Sequence, residues 1–276
     1  MDRIKSVFKN LLEIIGKNEM RILPGNLAFF LVLSVVPIIT LVGFIASFFN
    51  IDLNMIINAM QNTFPKEVSE LLIPFISGKG IDINVGISMI TGFIIASNGA
   101  HSIIVASNTL YNIPNDDYLK RRIKAFLMTF LLVILFIFVV VVLAFGNHIL
   151  AAILNLGIFK NISSTIIYPV FVYAKWPIAY FLIFFLLKVL FTMAPDKRIP
   201  SRFVNKGVRF ATLGWMLATA IYSFYVNHFA NYDIFYGGLS NIIILMIWIY
   251  ILAYILVLGI AINTNNYELT KNGSNK

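Results

Sequence analysis

Residues 97–124 read SNGAHSIIVASNTLYNIPNDDYLKRRIK, and the two halves of this stretch call for different solvents. The first half continues an apolar run that starts near Ile83, which puts Asn98, His101 and Ser102 inside a helix of bilayer-spanning length. The second half leaves through Pro114 and ends in Lys120, Arg121, Arg122 and Lys124, a basic cluster of the kind that positive-inside bias keeps in the cytoplasm. An ionisable side chain within a bilayer is costly, and such a position raises a functional hypothesis.

Composition agrees with that reading. Of 276 residues, 59% are hydrophobic and 12% charged, against about 25% charged in soluble domains. A net charge of +9 in a soluble protein would suggest nucleic acid, but here the charge alternates with the hydrophobic runs. The absence of cysteine excludes disulfides, thiolate metal sites and cysteine nucleophiles. Residues 1–20 lack the compact apolar core and small-residue cleavage site of a signal peptide.

Outward from the opening stretch, the pattern predicts an all-α polytopic membrane protein with six transmembrane helices, an N-terminal amphipathic helix and short outer-face helices. Residues 1–26 form the amphipathic interfacial segment, with Ile4, Val7, Phe8, Leu11, Leu12 and Ile15 on one helical face. A membrane domain follows over 27–263, with spans at about 27–49, 83–106, 123–146, 166–193, 207–229 and 239–263. Residues 51–82 recur at helical spacing but are too polar to stay in hydrocarbon, so helices broken at Pro65 and Pro74 are expected on the outer face, where they could form a lid. Residues 264–276 form a flexible cytoplasmic tail. The N-terminal segment, the connections after spans two and four, and the tail carry 5, 4, 5 and 2 Lys or Arg, against 3 on the other side. That bias predicts a multi-pass plasma-membrane protein with both termini cytoplasmic.

Small residues mark helix seams at Gly92, Ala96 and Ala100, and again at Ala211, Gly214 and Ala218. Thr91, Asn98, His101, Ser102 and Thr109 share a stripe that should face the bundle interior or a cavity, not lipid. His101 reads first as a helix-packing hydrogen-bond group and second as a titrating or substrate-binding group. Pro37 removes a helical hydrogen bond to Leu33, which fits a packing kink or a broken-helix site. Lys175 lies at the outer headgroups or inside the bilayer. Trp215 and Trp248 read as interface anchors and packing groups.

Five segments together carry a family resemblance: Asn26-Leu27-Ala28-Phe29-Phe30 running to Leu33-Ser34-Val35-Val36-Pro37; Ser97-Asn98-Gly99; Pro195 with its basic loop; Tyr236-Gly237-Gly238-Leu239; and Gly259-Ile260-Ala261-Ile262-Asn263. With these the chain resembles the YihY family, also called the virulence factor BrkB family and once described as ribonuclease BN. The resemblance implies a six-span fold over the whole membrane region. The family's closing motif usually has Glu where this chain has Ala261, so a role resting on that carboxylate has no carrier here.

All twelve acidic residues lie outside the six predicted spans, so an ion-coupling intramembrane carboxylate is missing. Neutral and cationic donors remain, a set suited to an anionic or zwitterionic substrate. The expected function is a transporter or permease handling a lipid, amphiphile or small anion, its pathway lined by Asn98, His101, Ser102, Ser34, Pro37 and Lys175. Lys120, Arg121, Arg122, Lys124, Lys197, Arg198 and Arg202 are expected to contact anionic lipid. The competing reading is a non-transporting envelope-assembly or interaction protein. A ribonuclease ranks third: no catalytic set, metal site or cofactor motif is legible, and the three histidines fall at different depths. No enzyme activity is therefore expected. Membrane lipids are the expected partners, a homo-oligomer is left open, and no specific nucleic acid is predicted.

Overall fold

The computed structural model describes residues 13–48, 52–63, 66–76, 83–114, 117–131, 133, 164–229, 232 and 236–273. Its helices are α1 (Asn18–Phe48), α2 (Leu53–Thr63), α3 (Lys66–Ile76), α4 (Ile83–Leu110), α5 (118–131), α6 (Ser164–Met193), α7 (Ser201–His228) and α8 (Ser240–Gly273). A short 3-10 turn, Gly237–Leu239, precedes α8. The described residues contain no strand. Among the described residues, three helical stretches are long and apolar enough to cross a bilayer: Asn18–Leu41, Ile90–Leu110 and Ser240–Asn265; in α6 the apolar stretch Pro177–Met193 is shorter. Most of the N-terminal amphipathic pattern, the third span beyond residue 133, His148 and the Lys175 side chain lie outside what is described.

Several boundaries move. The first apolar helix begins at Asn18 rather than Leu27, because Met20 is buried in the core while Asn18, Glu19 and Arg21 face outward. Pro74 lies inside α3 and does not break it. The helix of the fifth expected span, α7, starts at Ser201, directly after Pro200, whose extended backbone ends the preceding loop. The last helix continues to Gly273, so residues 264–273 are helical rather than a flexible tail. Tyr267 anchors that extension, edge-on to Tyr111 at 6.2 Å and to Phe203 at 5.4 Å.

Small residues set the closest helix approaches. In the α1–α4 seam, a Cβ on Gly99 would lie 2.9 Å from Ser34 Oγ, and Gly92 faces the Pro37 ring. Ser34, fully buried, donates to the Phe30 carbonyl at 2.6 Å and to the Ala96 carbonyl of α4 at 3.2 Å. The antiparallel pair α7 and α8 is cross-linked along its length. Gly207 N donates to Asn263 Oδ1 (2.7 Å), Trp215 Nε1 to Leu252 O (2.9 Å), Trp248 Nε1 to Thr219 Oγ1 (3.2 Å) and Tyr222 Oη to Ile244 O (2.8 Å). Both tryptophans therefore bind helix to helix. The helices α2 and α3 do more than lie on a surface: Ile56, Met60, Val68, Leu72 and Ile76 are buried, and α3 packs on α1 and α8.

The outward faces are apolar. On α5, Leu119, Ile123, Leu127 and Phe130 form an exposed stripe, and on α7 Leu213, Leu217, Ile221 and Phe224 form another. Continuous exposed apolar stripes of this size suit hydrocarbon, not water.

Candidate functional site

The chain reverses sharply between α4 and α5. Asn112 takes a left-handed conformation (φ 52°), with Asn112 N bonded to Thr109 O and Ile113 N to Asn108 O, a Schellman-type stop reinforced by Pro114. Asp117 then caps α5, its carboxylate accepting from Lys120 N at 3.0 Å. The result is an antiparallel hairpin that brings the basic start of α5 against the polar stripe of α4.

Two neighbouring arginines on α5 are treated differently. Arg122 donates from Nη1 to Asn98 Oδ1 (2.7 Å) and from Nη2 to the Ile94 carbonyl (3.1 Å), and its guanidinium lies 4.8 Å from the Phe126 ring centre. Arg121, about 100° around the helix, is turned inward and only 7% exposed; its Nε and Nη1 have no hydrogen-bond partner. His101, one turn after Asn98, is half-buried, sits edge-on to Tyr118 at 5.7 Å, and its Nε2 is likewise unpartnered.

Further along the same face, Lys124 Nζ donates to the carbonyls of Ala194 (2.9 Å) and Pro195 (2.7 Å) and to Asp196 Oδ1 (2.7 Å). The first two are carbonyls just past the end of α6, where a helix leaves acceptors unsatisfied. Asn108, fully buried, completes the clamp: its Nδ2 donates to Asp196 Oδ2 (2.6 Å) and its Oδ1 accepts from Asp196 N (2.9 Å). Partial burial opposes ionisation of Asp196. The hydrogen bonds from Lys124 and Asn108, with the charges of Lys124 and Arg121, outweigh it and hold the carboxyl below its ordinary value.

Beyond Phe126 the hairpin opens into an apolar groove of about 540 Å³, lined by Leu41, Ile90, Phe93, Ile94, Phe126, Phe130 and Val133. Phe93 and Phe126 stack across it at 5.9 Å. Two of its wall residues, Ile94 and Phe126, are those that Arg122 touches, so a guanidinium marks its polar end.

The structure thus gathers Asn98 and His101 with Arg121 and Arg122, while Ser102 is buried in α4 and Ser34 and Pro37 lie in the α1–α4 seam. Of the residues expected at anionic lipid, Lys120, Lys197, Arg198 and Arg202 are exposed, whereas Arg121 and Lys124 are directed into the protein. Sequence reasoning missed Asn108 and Asp196, whose pairing across the fold has no local signature. Among the described residues no group of three or more His, Cys, Asp or Glu could hold a metal ion. His228 sits at the far end of α7 from the 194–200 loop, stacked on Phe224 at 4.4 Å.

A model of the virulence factor BrkB family matches residues 12–276. The chain belongs to that family. The ribonuclease-like protein YfkH of Bacillus subtilis (strain 168) is 26% identical over 262 residues, covering 94% of each chain. A UPF0761 membrane protein of Vibrio campbellii is 24% identical over 262 residues, 91% of this chain and 79% of its own. A second UPF0761 membrane protein, from Pseudoalteromonas translucida, is 31% identical over 71 residues, 26% of this chain and 24% of its own. No solved structure matches. The protein is accordingly a helical membrane protein of the BrkB family, and the motif residues shared by resemblance now have physical reasons. Gly207 and Gly259 let α7 and α8 touch backbone to backbone, Asn263 binds across that crossing, and Gly237 adopts φ 51° in the turn before α8. Ala261 is buried in that helix.

Proposed function

We propose that this BrkB-family protein is a multi-pass plasma-membrane permease for an anionic amphiphile, with six spans, both termini cytoplasmic and no enzymatic step of its own. The observation that carries the reading is the groove between α1, α4 and α5: its lining is wholly apolar, its 540 Å³ falls within the range of about 300–1,000 Å³ typical of small-ligand sites, and Arg122 stands at one end. An acyl chain would replace bilayer contacts along Phe93, Phe126 and Phe130, while an anionic headgroup would meet Arg122 at the basic rim. Asn98 holds the Arg122 guanidinium in place for that contact. Ser34 and Pro37 serve this reading indirectly by fixing α1 against α4 beneath the groove.

The test is reconstitution into vesicles containing fluorescent phosphatidylglycerol, with dithionite quenching to follow movement between leaflets. Wild-type protein is expected to expose inner-leaflet probe faster than protein-free vesicles, and Val133→Trp, which fills the groove, to slow it. Rates equal to protein-free vesicles for the wild type would reject the permease reading in favour of an assembly or interaction role.

A further inference from the structure

Three contacts fix the register of α4 against α5: His101 with Tyr118 at 5.7 Å, Asn98 Oδ1 with Arg122 Nη1 at 2.7 Å, and Phe93 stacked on Phe126 at 5.9 Å. Each step along α5 is matched by a step back along α4, so depth can be counted on α4. Its apolar stretch Ile90–Leu110 rises about 30 Å, the thickness of a hydrocarbon layer. On that scale Asn98 lies about 18 Å from Leu110 and about 12 Å from Ile90, close to the middle. Tyr118, at the start of α5, meets α4 about 13 Å short of Leu110. The basic end of the hairpin is therefore drawn into the bilayer.

Arg122 turns further in. A cation near the end of a span ordinarily runs its stem toward the headgroups, and the Cα–Cβ bonds of α5 tilt toward its N-terminal, basic end. The Arg122 side chain does the opposite: its guanidinium lies over Phe126, one turn deeper, and donates to the Ile94 carbonyl, one turn beyond Asn98. The amide oxygen, the carbonyl and the ring are all neutral, and among the described residues no carboxylate forms an ion pair with Arg122. An unmatched charge held at this depth is costly, and it is also the partner that an anion stripped of water would need. We propose that Arg122 is an intramembrane station for the oxyanion of the amphiphile, a carboxylate or a phosphodiester that exchanges its water for this guanidinium about halfway across. The inference rests on the permease reading and adds to it the depth and chemistry of the headgroup contact.

The experiment uses two photoprobes on the full chain in vesicles: phosphatidylglycerol with a diazirine in its headgroup, and palmitic acid with a diazirine beside the carboxyl group. Wild-type protein is expected to crosslink at Ile94, Asn98 and Phe126, and Arg122→Gln, which keeps an amide donor for Asn98, to lower that labelling about tenfold or more. Arg122→Lys, which keeps the charge, should retain part of it. Labelling by the first probe alone assigns a phosphodiester, by the second alone a carboxylate, and by both an oxyanion of either kind. Should Arg122→Gln unfold early in detergent, the wild-type crosslink pattern decides by itself. Crosslinks confined to Tyr118 and Lys120, or none from either probe, would overturn the station even where the protein speeds lipid movement between leaflets. Labelling of Ile94 and Phe126 that persists in folded Arg122→Gln would overturn it too. Mid-depth crosslinks that depend on Arg122, in a protein that moves no lipid, would uphold the anion site and reject the permease reading.

Discussion

Lys124 and Asp196, 72 positions apart, form a 2.7 Å ion pair that ties the start of α5 to the loop between α6 and α7. Because the same ammonium also donates to the carbonyls of Ala194 and Pro195, one side chain fixes three acceptors beside α4's Asn108.

Lys124→Met is therefore expected to destabilise the protein by about 1.5–3 kcal/mol, the range for losing hydrogen bonds to a charged group, read as earlier thermal unfolding in detergent. Asp196→Asn should lose less, since its amide can still face Asn108. The pH behaviour follows from the depressed carboxyl of Asp196: its contribution is present above the ordinary carboxyl value of 3.8 and is lost as pH falls through the lower folded value. The stability gap between wild type and Asp196→Asn should stay flat from about pH 8 to pH 5 and close only in stronger acid. A gap closing near neutrality would contradict the clamp.

The α7–α8 crossing gives a second test. A Cβ on Gly207 would run into the Gly259 carbonyl, and one on Gly259 would meet the Phe191 ring at 3.0 Å, whereas Gly25 has open space around it. Gly207→Ala should cost about 1–3 kcal/mol or more, since backbone cannot yield as a side chain can, while Gly25→Ala should not lower stability. Equal thermal unfolding of the two variants would show that the helices do not touch there.

These residues show which parts of the fold a sequence exposes. Small residues at Gly92, Ala96 and Gly214 announce close helix contact because only they permit it, and the Tyr236-Gly237-Gly238 turn announces itself through its glycines. The site is different. Arg121 and Arg122 are equivalent to a charge count, yet one helical step sends one to Asn98 and the other into the interior. Likewise Asn108 and Asp196 carry no local pattern, because their relationship exists only after α4, α5 and α6 have packed. The helix ends run past the expected spans for a related reason: Met20 and Tyr267 find tertiary partners that extend helices into polar sequence.

Orientation is open to a direct measurement, because the natural chain has no cysteine. Single cysteines at exposed Lys120 and Arg198 should both resist a membrane-impermeant maleimide in intact cells and both react after permeabilisation. One cysteine at exposed Lys66, the first residue of α3, should react in intact cells. Labelling of Lys120 and Arg198 positions from opposite sides would break the proposed topology.

The groove makes a prediction that separates a bound amphiphile from ordinary annular lipid. Every exposed apolar stripe will touch acyl chains, so contact alone means little. The groove differs from the α7 stripe of Leu213, Leu217 and Ile221 by having a guanidinium at its end. A phosphatidylglycerol carrying a diazirine in its acyl chain should crosslink to Phe93, Phe126 and Phe130 more than to the α7 stripe. That preference should fall with Arg122→Gln, which removes the charge but leaves the apolar wall. Phosphatidylcholine of the same chain, whose headgroup carries no net charge, should show a smaller preference for the groove. If both lipids label both surfaces equally, the groove is only a crease in the lipid-facing wall, and Arg122 acts only to bind α5 to Asn98.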